Sequence, residues 1–215
     1  NLKEIYQSIK DPQIAADFER ADKLIIKLAK LRGAIAKLTN LQVLDLIKTW
    51  ERLAQKFYRL ELYSSLLEST NINVAEVTRF VKNIEEKLVQ KSQEIIFLEV
   101  ELAQLSNKRW QGLLKARELK IYHQFLRHLH EQAKHTLTEP EEKILAEKGQ
   151  TSWQALTHLF SITTNTLQIP WDNKRVTIDE VLVYLRDPDP SLRQQAALAL
   201  HEGLKINDKT TPAIY

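Results

Sequence analysis

One short stretch of this chain has the residue types of a zinc site but not its spacing. Residues 130–135 read H-E-x-x-x-H, one residue longer than the H-E-x-x-H in which two histidines bind zinc and the glutamate acts as a general base. On an α-helix, residues i and i+4 lie roughly 40° apart around the axis, whereas residues i and i+5 lie roughly 140° apart. The side chains of His130 and His135 should therefore diverge, and one continuous helix should not hold a metal ion between them.

A second combination of nearby residues also fails as a metal site. His128, Glu131 and His135 fall on one helical face, but the outer two lie about 10.5 Å apart along the axis. Because zinc is bound at about 2 Å from each ligand atom, one ion would need strained side chains to reach all three. We therefore predict that these histidines, with His123, lie on the surface near a helix C-terminus, where positive charge is favoured.

Glu99 and Glu101 are the other candidates for chemistry, because paired carboxylates can serve as a general acid and a general base. They flank Val100 and are two residues apart, so they do not share a helical face. Structural ion pairing is the better interpretation of these two glutamates.

Several classes of function are excluded by what the sequence lacks. It has no cysteine, no Gly-rich phosphate loop and no G-x-S-x-G elbow. Its 31 basic and 28 acidic residues are interspersed, and no cluster of Lys or Arg surrounds its tryptophans, so we predict no nucleic-acid partner. The tryptophans should instead pack in the core; they are Trp50, Trp110, Trp153 and Trp171.

No apolar run approaches the roughly 18 residues of a membrane span, and the N-terminus has no signal-peptide pattern. We therefore predict no membrane partner, and the absence of cysteine fits a cytoplasmic location. From the residues alone we predict no catalytic, cofactor-binding or metal-ligating residue in this chain.

Long helices must position these side chains, because only four Gly and six Pro occur among 215 residues. Asp11-Pro12 predicts the start of a helix that runs to about Lys30 and ends near Arg32-Gly33. Asn40 begins a second helix of roughly thirty residues, judged from apolar side chains at helical spacing. These side chains are Leu44, Ile47, Trp50, Ala54, Phe57 and Leu66.

The third helix is expected to be the longest. Asn71-Ile72-Asn73 interrupts the pattern, and Asn73 with Glu76 resembles a capping box. Apolar residues then alternate at spacings of four and three from 77 to 105, interrupted only by Lys91, which predicts coiled-coil-like packing. They are Val77, Val81, Ile84, Leu88, Ile95, Leu98, Leu102 and Leu105.

The rest of the chain predicts shorter elements. A helix covers about 117–135, a capping box at Thr138 and Glu141 begins a helix ending at Gly149, and Trp153, Leu156 and Phe160 mark the next. Alternation around Asp172-Asn173 predicts a β-hairpin near 167–176, and Thr177 to Glu180 is another capping box. Residues 187–190 separate the last two helices. The predicted fold is all-α, with long antiparallel helices in a bundle and at most one short β-hairpin.

Residues 182–200 resemble one HEAT-type repeat, in which D-P-x-x-x-V-R-x-x-A-x-x-A-L begins the second helix. A solenoid needs several such copies at a period of about 40, and this chain has one. A helical interaction scaffold, either HEAT-like or coiled-coil, is therefore the alternative interpretation, with self-association through the 77–105 seam.

A broader resemblance extends over essentially the whole chain. Its short motifs follow the same order as in the N-terminal region of the oligoendopeptidase F family, the bacterial relatives of thimet oligopeptidase. They are IY at 5–6, DPQI at 11–14 with Asp17, WERL at 50–53, RLELYS at 59–64, FLEVEL at 97–102, Leu119 with Tyr122, HTLTEPEEKIL at 135–145, SW at 152–153, TIDEVL at 177–182, RQQA at 193–196 and PAIY at 212–215.

This resemblance implies a zinc metalloendopeptidase that hydrolyses short peptides in a deep channel. The zinc ligands of that family lie downstream of the part matched here, so the resemblance assigns no ligand to this chain. It implies that residues 1–186 form an N-terminal helical domain, a wall of the channel, and that 187–215 begin the catalytic domain. Since the chain starts without Met and stops at 211–215 in mid-pattern, we expect a fragment. Because it lacks the H-E-x-x-H motif, we expect that fragment to be inactive alone.

Overall fold

The computed structural model of the chain describes residues 1–71 and 74–205, except for the side chain of Gln150. Its described elements are helices and one two-stranded antiparallel sheet, which confirms the predicted all-α class with a small hairpin. The chain divides into two units, residues 1–147 and 148–215. Within the described residues, no helix combines the length and apolar character needed to cross a membrane.

Among its described residues, the first unit contains six α-helices and part of a seventh, together with four short 3-10 helices. The 3-10 helices are Leu2–Glu4, Ile35–Lys37, Arg117–Tyr122 and Ala133–His135. The α-helices are α1 (Pro12–Ala29), α2 (Asn40–Thr70), α3 (Ala75–Gln93), α4 (Phe97–Ala103), α5 (Asn107–Lys115), α6 (His123–Gln132) and α7 (Glu139–Thr151), the last of which contains the division between the units.

The first two helices begin where the sequence predicts. Asp11 accepts a hydrogen bond from the backbone N–H of Gln13 at 2.8 Å, and Pro12 occupies the first position of α1. Thr39 and Gln42 form a reciprocal capping box at the start of α2, a signal that the sequence analysis did not use. At 31 residues, α2 is the longest described helix.

The prediction of one long helix over 77–105 is wrong. The chain leaves α3 after Gln93, turns through Glu94 and Ile95 by i→i−3 hydrogen bonds of 3.3 and 3.0 Å, and begins α4 at Phe97. The apolar pattern continues across the break because residues on both sides are buried. Residue 73 lies outside the described residues, so its predicted cap stays a prediction; α3 begins at Ala75, after Val74.

The 77–105 seam faces the interior of this chain. Val77, Val81 and Ile84 are buried on α3, and Ile95, Leu98, Leu102 and Leu105 belong to the main core. Lys91, its one polar position, pairs with Asp22 of α1. These described residues of the seam are therefore covered by other parts of the same chain.

The predicted helix over 117–135 is divided into three parts. Residues Arg117–Tyr122 and Ala133–His135 form 3-10 helices on either side of α6, and α5 is a separate helix that the sequence analysis did not predict. Glu141 accepts hydrogen bonds from the backbone N–H and the hydroxyl of Thr138, at 2.9 and 2.6 Å, as the capping box predicts for Glu141.

The first unit has two apolar clusters. The main one joins the end of α1 and the first half of α2 to α4, α5 and α6, with Trp110 and Leu126 fully buried in it. The other joins the N-terminal Tyr6 and the start of α1 to the second half of α2 and to α3. Beside Tyr6, the buried carboxylate of Asp17 pairs with basic side chains from α1 and α2.

The second unit has its own small core. It contains α8 (Trp153–Asn165), β1 (Ile169–Trp171), β2 (Lys174–Val176), α9 (Ile178–Tyr184) and α10 (Pro190–Lys205). The predicted hairpin is confirmed, with Asp172 and Asn173 turning the chain at φ of 45° and 61°. The predicted capping box at Thr177 and Glu180 is also present.

Close approach of α10 to the hairpin requires a glycine. A Cβ atom at Gly203 would lie 2.8 Å from Cγ1 of Ile169, a residue with no solvent exposure.

One tryptophan does not pack in a core as predicted. Trp153 on α8 is 64% exposed, so the prediction that the four tryptophans pack in the core is wrong for this one.

Candidate functional site

The described part of the chain has a concave surface, a groove in the first unit. Its volume is about 300 Å³. It lies between α2 and the junction at which the 3-10 helix Arg117–Tyr122 is followed directly by α6. The groove is lined by Ile47, Trp50, Glu51, Ala54, Tyr122 and Phe125.

Helical spacing places four of these side chains together. Ile47, Trp50, Glu51 and Ala54 occupy positions i, i+3, i+4 and i+7 of α2 and therefore share one face. Leu53, one turn from Trp50 on the same helix, is completely buried in the main core, so this side of α2 also packs on the interior.

The groove is aromatic with one acidic side chain. The rings of Trp50 and Phe125 meet edge to face, with centroids 5.7 Å apart. The hydroxyl of Tyr122 donates a hydrogen bond to Oε2 of Glu51 at 2.7 Å. That hydrogen bond raises the pKa of Tyr122, and desolvation and the charge of Glu51 add to the effect, while the charge of Arg52 opposes it.

This arrangement can bind a side chain but has no catalytic constellation. Its hydroxyl and its carboxylate are hydrogen-bonded to each other, and the other lining side chains are apolar. The groove therefore supports recognition and not bond cleavage.

The four histidines of the H-E-x-x-x-H region do not come together. The ring of His130 packs on buried Trp110, with centroids 4.9 Å apart, and Nε2 of His123 lies 3.0 Å from the carbonyl oxygen of Ala116. His128 and His135 are exposed. Because α6 tightens to a 3-10 helix of about 120° per residue at Ala133–His135, His130 and His135 diverge further than in a continuous α-helix.

The two glutamates have separate roles. Glu101 accepts hydrogen bonds from the backbone N–H groups of Gly33 and Ile35, at 2.7 and 3.5 Å, so it caps the loop after α1 and the predicted ion pairing is wrong for it. Although more than a third of Glu99 is exposed, packing around its carboxylate raises its pKa, and the negative charge of Glu142 adds to that effect.

The described residues do not fit a zinc ion. Across 1–71 and 74–205, no three His, Cys, Asp or Glu side chains lie close enough together to hold a metal. Of the histidines in the H-E-x-x-x-H region, His130 contacts an indole ring and His123 a backbone carbonyl. No catalytic step through zinc can be derived from these side chains.

The sequence analysis missed the groove because its walls are far apart along the chain. Trp50 was predicted to pack in the core, and it does contact the main core, but it also faces the groove. The motif WERL at 50–53 contains Trp50 and Glu51, and Tyr122 belongs to another of the motifs. Those motifs were the signal that could have identified the groove.

Comparisons with known proteins agree with the resemblance found in the sequence. Residues 101–168 match the model of the oligopeptidase F family. No curated protein sequence matches the chain significantly.

Solved structures extend the likeness beyond those residues. The crystal structure of oligoendopeptidase-F from Enterococcus faecium is similar over 94% of this chain, with a TM-score of 0.74 and 16% sequence identity. The structure of a protein from Chlamydophila abortus, provisionally classed as a peptidase, is similar over 100% of the chain, with a TM-score of 0.55 and 20% identity.

This chain spans 41% of the first of those structures and 37% of the second. At these identities, the structural likeness shows a shared fold, and the sequence match to the oligopeptidase F family is limited to residues 101–168. The predicted resemblance of this chain to the oligoendopeptidase F family is thus confirmed, by the sequence of residues 101–168 and by a fold shared over nearly its whole length.

Proposed function

We propose that this chain is the N-terminal, non-catalytic part of a zinc metalloendopeptidase that hydrolyses short oligopeptides, and that its helices form a wall of the substrate channel. One observation carries the proposal: the chain shares its fold with oligoendopeptidase-F from Enterococcus faecium over 94% of its own length but spans only 41% of that protein. The match of residues 101–168 to the oligopeptidase F family supports it.

Zinc in this proposal is bound by the part of the parent protein outside residues 1–215. Such a metal would polarise the scissile carbonyl and lower the pKa of a bound water. The side chains described here contribute shape and binding surface. The 300 Å³ groove beside Trp50 and Tyr122 is the concave surface that a peptide side chain can enter.

The domain division stays part of the proposal, with 1–186 as the N-terminal domain and 187–215 as the start of the catalytic domain. One compact unit covers 148–215, and α10 packs there on β1 and α9. The motif residues 212–215 lie outside the described residues. A cytoplasmic location is likewise proposed, on the absence of cysteine from the sequence.

The gene provides the first test. We expect it to continue beyond codon 215 and to encode H-E-x-x-H within a few hundred residues. A stop codon at that point would contradict the peptidase parent.

The chain itself provides a second test. Residues 1–215 should bind no zinc stoichiometrically and should cleave no peptide, as measured by metal analysis after gel filtration and by a fluorogenic peptide assay. Tight binding of one zinc ion, lost in the His128→Ala and His135→Ala variants, would place a metal site in this chain and overturn the proposal.

An interaction scaffold is a second candidate, and exposed apolar side chains of the second unit favour it. Trp153, Val183 and Leu198 are 64%, 69% and 57% exposed. A scaffold that pairs through them should sediment as a dimer, and Val183→Asp should return it to a monomer. A monomer in the wild type would count against this candidate.

A further inference from the structure

The groove beside α2 combines three aromatic rings with a carboxylate. Trp50, Tyr122 and Phe125 come from three different elements, and Glu51 lies among them. Aromatic faces attract cations within about 6 Å of the ring centroid, and a carboxylate adds charge complementarity. We propose that this groove binds the cationic side chain, Lys or Arg, of a peptide.

Elsewhere in the same chain, basic side chains lie over aromatic rings in cation–π contacts. The guanidinium of Arg32 lies 4.1 Å from the ring centroid of Phe97, and that of Arg59 lies 4.6 Å from that of Tyr6. Both contacts are internal. Among the described residues, no Lys or Arg lies over the rings of the groove, so no cation of the chain itself occupies them.

Glu51 is arranged to meet a positive charge. Its Oε2 accepts the hydrogen bond from Tyr122, and that is the one hydrogen bond to its carboxylate in the described part of the chain. Its Oε1 therefore remains available to a donor such as an ammonium or a guanidinium. An acidic side chain would be repelled by the same group.

The size and the apolar walls of the groove suit one long side chain. A volume of about 300 Å³ is at the lower end of the range of ligand pockets, which is too small for a large cofactor. Ala54 and the aromatic rings provide apolar surface for the methylene groups of Lys or Arg, which pack on such surfaces while the charged end stays hydrated.

Arg52 is the opposing feature. It is exposed next to Glu51, and its charge acts on Tyr122 in the direction opposite to that of Glu51. A cationic ligand must therefore bind against this repulsion, and removal of the Arg52 charge should strengthen binding. The inference concerns binding by this chain; only a role in choosing substrates rests on the proposed function.

The test is an NMR titration of the 215-residue chain with short blocked peptides. The probes are Ac-Ala-Lys-Ala-NH2 and Ac-Ala-Arg-Ala-NH2, and their neutral counterparts carry norleucine and citrulline. The indole N–H signal of Trp50, assigned by loss in Trp50→Phe, reports on the groove. Both cationic peptides should shift it with millimolar Kd, and the neutral peptides should bind about fivefold more weakly.

Variants give the second readout. Glu51→Gln keeps an acceptor for Tyr122 but removes the charge, and it should weaken the cationic peptides about fivefold, whereas Arg52→Gln should strengthen them. Glu61→Gln, at an exposed position of the same helix, is the matched control and should change nothing. Circular dichroism checks the fold of each variant.

Two results would overturn the inference: norleucine binding as tightly as Lys, which would make the groove a site for apolar side chains, or no shift of the Trp50 signal with any cationic peptide. The comparison of peptides on the wild-type chain does not depend on any variant. Failure of the proposed peptidase function would leave this binding unchanged, so the two failures are distinguishable.

Discussion

Replacing Asp17 with Asn should destabilise the first unit more than any other single change of charge on α1. The carboxylate has no solvent exposure. It accepts hydrogen bonds from the hydroxyl of Tyr6 at 2.9 Å and from Arg59 at 3.3 Å, and it pairs with Lys56 and Arg20 at 3.1 Å each. Asp17→Asn keeps the shape of the side chain but directs an uncharged amide at three cations.

The size of the effect follows from the exposure of those cations. Removing one partner of a buried ion pair costs about 3–5 kcal/mol, because the other charge remains buried and unpaired. The side chains of Lys56, Arg59 and Arg20 are 28%, 37% and 53% exposed, so they regain part of their hydration. We therefore expect a loss at the lower end, about 3 kcal/mol of unfolding free energy.

The difference in stability between wild type and Asp17→Asn should also depend on pH in a defined direction. Burial alone would raise the pKa of Asp17, but hydrogen bonds from Tyr6 and Lys56 outweigh it and hold the pKa below its ordinary value. A carboxyl with a lowered pKa stabilises the fold above its unfolded pKa of about 3.9 and loses that contribution as the pH falls through the folded pKa. The difference between wild type and Asp17→Asn should be full at pH 7 and should shrink below about pH 4.

The assay is urea denaturation followed by circular dichroism, at pH 7 and at several values below 4. Asp45→Asn is the control, because Asp45 pairs with Lys27 at 2.8 Å but is 63% exposed, and such a pair is worth about 1 kcal/mol or less. A cost for Asp17→Asn as small as that of the control, or a difference that grows as the pH falls, would refute the reasoning.

Three other substitutions test the packing and the turns. Gly203→Ala should destabilise the second unit by about 1–2 kcal/mol, because the cost of overpacking against Ile169 exceeds the gain in helix propensity. Thermal denaturation measures the change in stability. An unchanged or raised Tm would show that Ile169 moves aside. Glu101→Ala should lower the unfolding free energy by about 1–2 kcal/mol, since it leaves the N–H of Gly33 without its acceptor. Urea denaturation measures this loss, and an unchanged unfolding free energy would mean that water replaces the carboxylate. Asn173→Val should lower the unfolding free energy by about 1–2 kcal/mol, because a β-branched residue is strained at a φ of 61°. Asn173→Gly should cause no such loss. Equal stability of the two variants would contradict a positive φ at position 173.

Local signals in the sequence were sufficient for several helix starts and for the hairpin turn. Asp11-Pro12, the Thr177 capping box and the Asp172-Asn173 turn act through backbone hydrogen bonds and φ preferences within a few residues, so they can be read without the tertiary structure. The resemblance to oligoendopeptidase F depended in the same way on short ordered motifs.

What the sequence did not reveal depends on contacts between distant residues. No Gly or Pro marks the break between α3 and α4, and the apolar spacing continues across it because α3 and α4 both bury that face. The groove joins Trp50 to Phe125, 75 residues away along the chain, and no local pattern records that meeting. Glu101 was interpreted as an ion-pair residue because its backbone partners at 33 and 35 cannot be inferred from spacing.

The most direct test of the proposed function is a peptidase assay of the full-length protein beside the 215-residue chain, with an internally quenched short peptide as substrate. The full-length protein should hydrolyse the peptide, lose activity to a zinc chelator and recover it when zinc is restored, while the 215-residue chain should show no hydrolysis. Hydrolysis by the 215-residue chain, or full-length activity that is indifferent to the chelator, would contradict the assignment of this chain as the non-catalytic part of a zinc oligopeptidase.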